Sequence, residues 1–147
     1  MLRRQFLGAG GTVAASLAMA RTVPAADLPA VEAANIRIVT DFCSLWPSRD
    51  VTKLAPFFTD TVVYRVSETS PPSIGREAVL ARIAPMFNGA DVVELAITES
   101  RAIGPLVINE RIDTFEGQAK HWRFHLAGLF FLKDGRIQEW TDYLIRD

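Results

Sequence analysis

The chain has 147 residues, 49% of them apolar, and a formal charge of −1. That is enough for one domain, residues 26–147, with a buried core behind a terminal extension. Near-neutral charge without a basic run argues against nucleic acid as a partner, and the single cysteine, Cys43, excludes an intrachain disulfide.

Residues 1–25 have the layout of a bacterial export signal: a charged start at Arg3-Arg4, an apolar middle and small residues near a cut site after Ala25, with Ala18-Met19-Ala20 as the rival site. The arginine pair followed by Phe6-Leu7 resembles a twin-arginine signal, which implies export of a folded protein to the periplasm or beyond. Membrane contact is then expected only through this segment. Its glycines, Gly8, Gly10 and Gly11, make it a poor permanent anchor.

From Leu28 to Trp46, Val31, Ala34, Ile38, Phe42 and Leu45 recur at helical spacing, and Pro47 ends the run. Asp50 is placed to cap a short helix over Val51–Phe58 that Pro56 distorts. Thr61–Val66 alternates as a strand, and Ser70-Pro71-Pro72-Ser73 breaks it. Gly75–Phe87 reads as a third helix with Val79, Ile83 and either Met86 or Phe87 on its buried face, ended by Asn88-Gly89. Four strands follow, over Asp91–Ser100, Leu106–Phe115, Ala119–Leu132 and Arg136–Ile145, with Gly117 and Asp134-Gly135 expected in hairpin turns. Helices followed by consecutive antiparallel strands define an α+β domain, three N-terminal helices packed on a curved, mostly antiparallel sheet.

Chemistry concentrates on two of these strands. Period two puts Arg111, Asp113 and Phe115 on one face, and Trp140, Asp142 and Leu144 on another. Both faces also carry large apolar side chains, so both are expected to look inward. Two carboxylates and a guanidinium in an apolar chamber must hold one another, because each costs several kcal/mol to desolvate alone. An arginine between two carboxylates lets one stay ionised while the other keeps its proton, as acid/base chemistry requires. The competing reading is an ion-pair network that only fixes the sheet. Tyr64 is a further candidate from the first strand, and Val66, Ile83 and Phe87 are expected to line the pocket from the first half of the chain. Phe115, Phe124, Leu126, Trp140 and Leu144 are expected to line it from the second.

His121, Arg123 and His125 have the opposite parity to Phe124 and Leu126, which puts them on the outer sheet face, a candidate homodimer surface. With no carboxylate or thiolate at a suitable spacing, the two histidines make a poor metal site, and no metal is expected. No phosphate loop or dinucleotide fingerprint is present, so no cofactor is implied. Cys43 reads as a small core residue.

Four segments resemble the limonene-1,2-epoxide hydrolase family, within the nuclear-transport-factor-like and SnoaL-like cystatin cones. They are Phe58–Tyr64, Ile74–Val79, Asn109–Asp113 and Gly135–Tyr143. The resemblance implies a cone fold and places the family's acid on Asp113, its base on Asp142, its bridging arginine on Arg111 and its water-orienting tyrosine on Tyr64. It implies hydrolysis of an epoxide on a small apolar substrate. This chain departs from the pattern at Val66, where the family has an asparagine that holds the water. Valine cannot replace that hydrogen bond; Glu68, on the same face, is a possible substitute. The alternatives are a ketosteroid-isomerase-like or polyketide-cyclase-like proton transfer, or a binder of an apolar ligand without catalysis.

Overall fold

A computed structural model describes residues 28–146, so the expected export signal lies outside the described residues. Three helices, α1 (Leu28–Ser44), α2 (Val51–Leu54) and α3 (Arg76–Ile83), come before most of the sheet. The strands are β1 (Phe58–Arg65), β2 (Ser73–Ile74), β3 (Val92–Ile103), β4 (Leu106–Gly117), β5 (Lys120–Lys133) and β6 (Arg136–Leu144). They form one sheet in the order β2-β1-β6-β5-β4-β3, antiparallel except where β1 runs parallel to β6. The expected α+β class is therefore observed. The two-residue strand β2 lies in the stretch the sequence reading treated as a break.

The prolines shape the helix ends. Pro47, Pro56 and Pro85 each sit in a short 3₁₀ turn, at Trp46–Ser48, Ala55–Phe57 and Ala84–Phe87. Each lacks the N–H that a continuing α-helix would need. Arg49 then turns left-handed (φ 54°) and bonds back to the Trp46 carbonyl. Asp50 caps α2 as expected, its Oδ1 accepting from the Thr52 amide at 2.9 Å.

The buried stripe of α1 is rotated by about one residue from the expected one. Asn35, Val39, Phe42, Cys43 and Trp46 face the sheet, while Ile38 and Leu45 flank them. Asn35 can be inward because its Nδ2 donates to the Gly104 carbonyl in the β3–β4 turn. Glu32 accepts from the Gly104 amide, so α1 holds that turn at two points. Phe42 meets Trp140 edge-on at 5.3 Å, and Trp140 stacks on Phe130 at 5.4 Å. This aromatic wedge joins α1 to β5 and β6.

Gly117 is not the turn residue it was expected to be. It ends β4, and a side chain there would collide with the Gly89 backbone. The turn falls on Gln118-Ala119, while Asp134-Gly135 is a two-residue turn with both residues at positive φ, as expected.

Candidate active site

Strand β4 alternates strictly, so Val107, Asn109, Arg111, Asp113 and Phe115 are all buried and point inward. Register brings the partners together. Asn109 pairs with Gly128 on β5, and Gly128 pairs in turn with Asp142 on β6. Gly128 has no side chain, so the Arg111 guanidinium lies across β5 at that point and reaches from β4 to β6. A Cβ there would overlap Arg111 Nη1, and would come within 2.7 Å of Asn109 Oδ1 and of the Phe130 ring.

All three nitrogens of the guanidinium donate. Nε donates to Asp113 Oδ1 at 2.8 Å and Nη2 to Asp113 Oδ2 at 3.2 Å. Nη2 also donates to Asp142 Oδ1 at 2.7 Å, and Nη1 to Asn109 Oδ1 at 3.0 Å. Phe130 and Trp140 lie beside the cation, with ring centroids 5.9 and 5.7 Å from its central carbon. Asp142 Oδ1 takes a second bond from Trp140 Nε1, also at 2.7 Å. The three charged groups expected to hold one another thus do so.

Arg111 is fully buried, and the two aspartates are nearly so. Burial is the largest influence on Asp113 and pushes its carboxyl up to about 6, against the opposing pull of Arg111. Burial also raises Asp142, opposed by Arg111 and by the Trp140 bond. Burial alone would lower Arg111, but Asp142 and Asp113 outweigh it and hold the cation. One cation between two buried carboxylates neutralises one of them, so the second holds a proton more readily than in water. The ionised form is better supported at Asp142, whose two bonds are both 2.7 Å, than at Asp113, with bonds of 2.8 and 3.2 Å.

A cavity of about 400 Å³ opens over this cluster. Asp113, Asp142 and Tyr64 line it, with Arg111 behind them. Asp142 Oδ2 has no partner among the described residues and faces the cavity. Tyr64 stacks on Trp140 at 4.0 Å because β1 and β6 pair them side by side. Burial, then the nearby Asp142, raises its phenol well above the usual range.

Of the expected wall, Val66, Phe115, Phe124, Leu126, Trp140 and Leu144 line the cavity. Ile83 and Phe87 do not. Ile83 is wholly in the core beneath α3, and Phe87 packs edge-on against Trp46 at 5.5 Å. The 3₁₀ turn at Pro85 rotates the chain so that Pro85 and Met86 reach the cavity instead. Glu68 is exposed in a turn and supplies no water ligand. Trp46, Trp122, Ser67 and Arg82 also line the cavity and were not anticipated. Trp122 could have been found, since it shares the parity of Phe124 and Leu126. Asn109 carried the same signal on β4, two residues before Arg111.

On the outer face, His125 Nε2 lies 2.6 Å from Glu110 Oε1. The carboxylate thought absent near these histidines is thus supplied by the neighbouring strand. Among the described residues, no three His, Cys, Asp or Glu side chains converge as metal ligands. Cys43 is buried, its thiol pushed up to about 12 chiefly by burial, with its Sγ accepting from Asn109 at 3.9 Å.

These features define a cystatin-like α+β cone with a buried arginine–aspartate cluster at the floor of its cavity. The chain belongs to the SnoaL-like domain family, whose model matches residues 39–140. It is similar in structure to an LEH-like epoxide hydrolase of M. tuberculosis, with 25% identity and a TM-score of 0.68 over 78% of this chain and 84% of that one. A protein described as a ketosteroid isomerase, from Kribbella flavida DSM 17836, shares the fold at 19% identity and a TM-score of 0.65, covering 79% of this chain and 81% of its own. So does one described as a SnoaL-like polyketide cyclase, from Jannaschia sp. CCS1, at 16% identity and a TM-score of 0.67, covering 78% and 87%.

Proposed function

We propose that this protein opens an epoxide on a small apolar substrate by acid/base catalysis on water. The observation that carries this reading is the Arg111 guanidinium bonded to both Asp113 and Asp142 on the floor of an otherwise mostly apolar cavity. In this reading Asp142 Oδ2 takes a proton from a water, whose oxygen bonds to an epoxide carbon. The C–O bond breaks, its electron pair stays on oxygen, and Asp113 gives that oxygen its proton. The products are a diol, a protonated Asp142 and an ionised Asp113. Arg111 holds both carboxylates before and after, so the pair's total charge is unchanged. Tyr64 bounds the water's side of the cavity.

One observation favours a second reading. Tyr64 pairs with Trp140, and the next inward residues along these parallel strands are Val66 and Asp142, both on the cavity wall. A valine beside the base leaves a water short of a partner. The same carboxylate could instead take a carbon-bound proton next to a carbonyl, with Tyr64 or protonated Asp113 donating to the developing oxyanion.

Turnover of a panel of epoxides in heavy-oxygen water tests the first reading. Wild type should place one label in the diol and none in the protein, and Asp142→Asn should lose at least about a hundredfold in rate. Val66→Asn should raise hydrolysis by restoring the water's partner. If that variant folds but opens no epoxide, while wild type exchanges protons beside a ketone, the second reading replaces the first.

The reading extends to the whole protein as an exported homodimer. Lysine at positions 3 and 4 should leave the precursor in the cytoplasm. The dimer contact is placed on the outer sheet face at His121, Arg123 and His125, where Phe131 and Tyr143 are also exposed. Light scattering at micromolar concentration checks it.

A further inference from the structure

Among the described residues that line the cavity, Arg82 is the one polar side chain besides the two aspartates, Tyr64, Ser67 and the indole N–H groups. It lies in the last turn of α3, is exposed, and has no carboxylate within ion-pair distance among the described residues. Arg76, on the same helix, is tied to Asp60 at 2.7 Å, and Arg111 is tied to both site aspartates. The positive charge of Arg82 nevertheless reaches the site, since it opposes the upward push on the Tyr64 phenol. The cavity therefore has a floor where one cation and two carboxylates nearly balance, walls of aromatic and aliphatic side chains, and a single uncommitted guanidinium at its exposed edge.

A neutral apolar ligand would leave that guanidinium without use. A ligand with an apolar body and an anionic end would match both the walls and the exposed edge. Its body would be buried against Trp140, Phe115 and Leu126, and its anion would stay in reach of solvent at Arg82. Guanidinium suits a carboxylate because its fork matches the two oxygens. We infer that the substrate is an apolar monocarboxylate, and that Arg82 sets this specificity by pairing with the carboxylate at the cavity mouth. The inference rests on the cavity being the substrate site, but not on which reaction follows.

Binding can be read without turnover, because all three tryptophans of the chain, Trp46, Trp122 and Trp140, line this cavity. Octanoate and octan-1-ol have the same apolar chain and differ in charge. Titrated against tryptophan fluorescence of the intact protein, octanoate should bind about fivefold more tightly at low salt, the order of discrimination a partly exposed ion pair provides. Raising the salt should shrink the difference. Arg82→Gln, an exposed change, should remove the preference and leave octan-1-ol binding as it was, while Arg82→Lys should keep part of it. Equal binding of the two probes by wild type would overturn the inference, as would a preference that survives Arg82→Gln. Loss of epoxide turnover with the binding preference intact would count against the hydrolase reading alone.

Discussion

Strand β4 sets an acidic side chain beside a basic one on both of its faces, and the two contacts behave as different materials. On the inner face Arg111 joins Asp113 and Asp142, with side chains 0%, 8% and 5% exposed. On the outer face Glu110, the residue just before Arg111, meets His125 with side chains 44% and 34% exposed. The contact distances are alike, 2.8 and 2.7 Å inside against 2.6 Å outside. What differs is the solvent. Water screens the outer pair, so it contributes at most about 1 kcal/mol. The inner groups have given up their hydration and depend wholly on one another, which is why Asp113 is pushed up to about 6. A one-residue step along a strand thus separates a solvent-screened surface contact from a desolvated, mutually bonded charge cluster.

The contrast is broken most severely at its centre. Arg111→Met should leave two buried carboxylates facing each other without a cation, at a cost of about 3–5 kcal/mol in urea unfolding. The next largest effect should come from Gly128→Ala. Its methyl would press on Arg111, Asn109 and Phe130, all fully buried and unable to yield. A loss of about 2–3 kcal/mol is expected, and the guanidinium should shift off Asp142 so that turnover falls with it. A fully active Gly128→Ala protein would show that the close fit is not needed.

The third effect is on pH. Asp113 has a folded value of about 6 against an ordinary 3.8, so between those values the folded state binds more protons than the unfolded. Its contribution is fully present below about pH 4 and is lost as pH rises through 6, at most about 3 kcal/mol. Asp142 acts in the same direction. Asp113→Asn should flatten this slope in unfolding curves taken across that range. The smallest effect belongs to the outer face. Glu110→Ala should change monomer stability by no more than about 1 kcal/mol, and any weakening of the proposed dimer would show in sedimentation instead.

Much of the inner cluster was legible because period two is rigid. Once β4 and β6 read as strands, Arg111, Asp113, Trp140 and Asp142 had to share the core side. The cavity's helical wall was less so, because a helix face depends on where the helix stops. Pro85 tightened the last turn of α3 and exchanged Phe87 for Met86 at the cavity. The stripe on α1 was misplaced by a residue because Asn35 is a poor signal of burial, yet it has a partner inside. The role of Gly128 depends on the register of three strands, which no single segment encodes. The Glu110–His125 pair was hidden for the same reason.

The central claim is that the inner face holds a coupled acid/base pair rather than two fixed anions. Carbon-13 NMR of the aspartate side-chain carboxyls, followed from pH 3 to 9, tests this most directly. Two carboxyls should titrate together above the usual aspartate range, Asp113 near 6, with the pattern collapsing to one shifted group in Asp113→Asn. If every aspartate in the folded wild type titrates in the ordinary range, the cluster only fixes the sheet and the acid/base account fails.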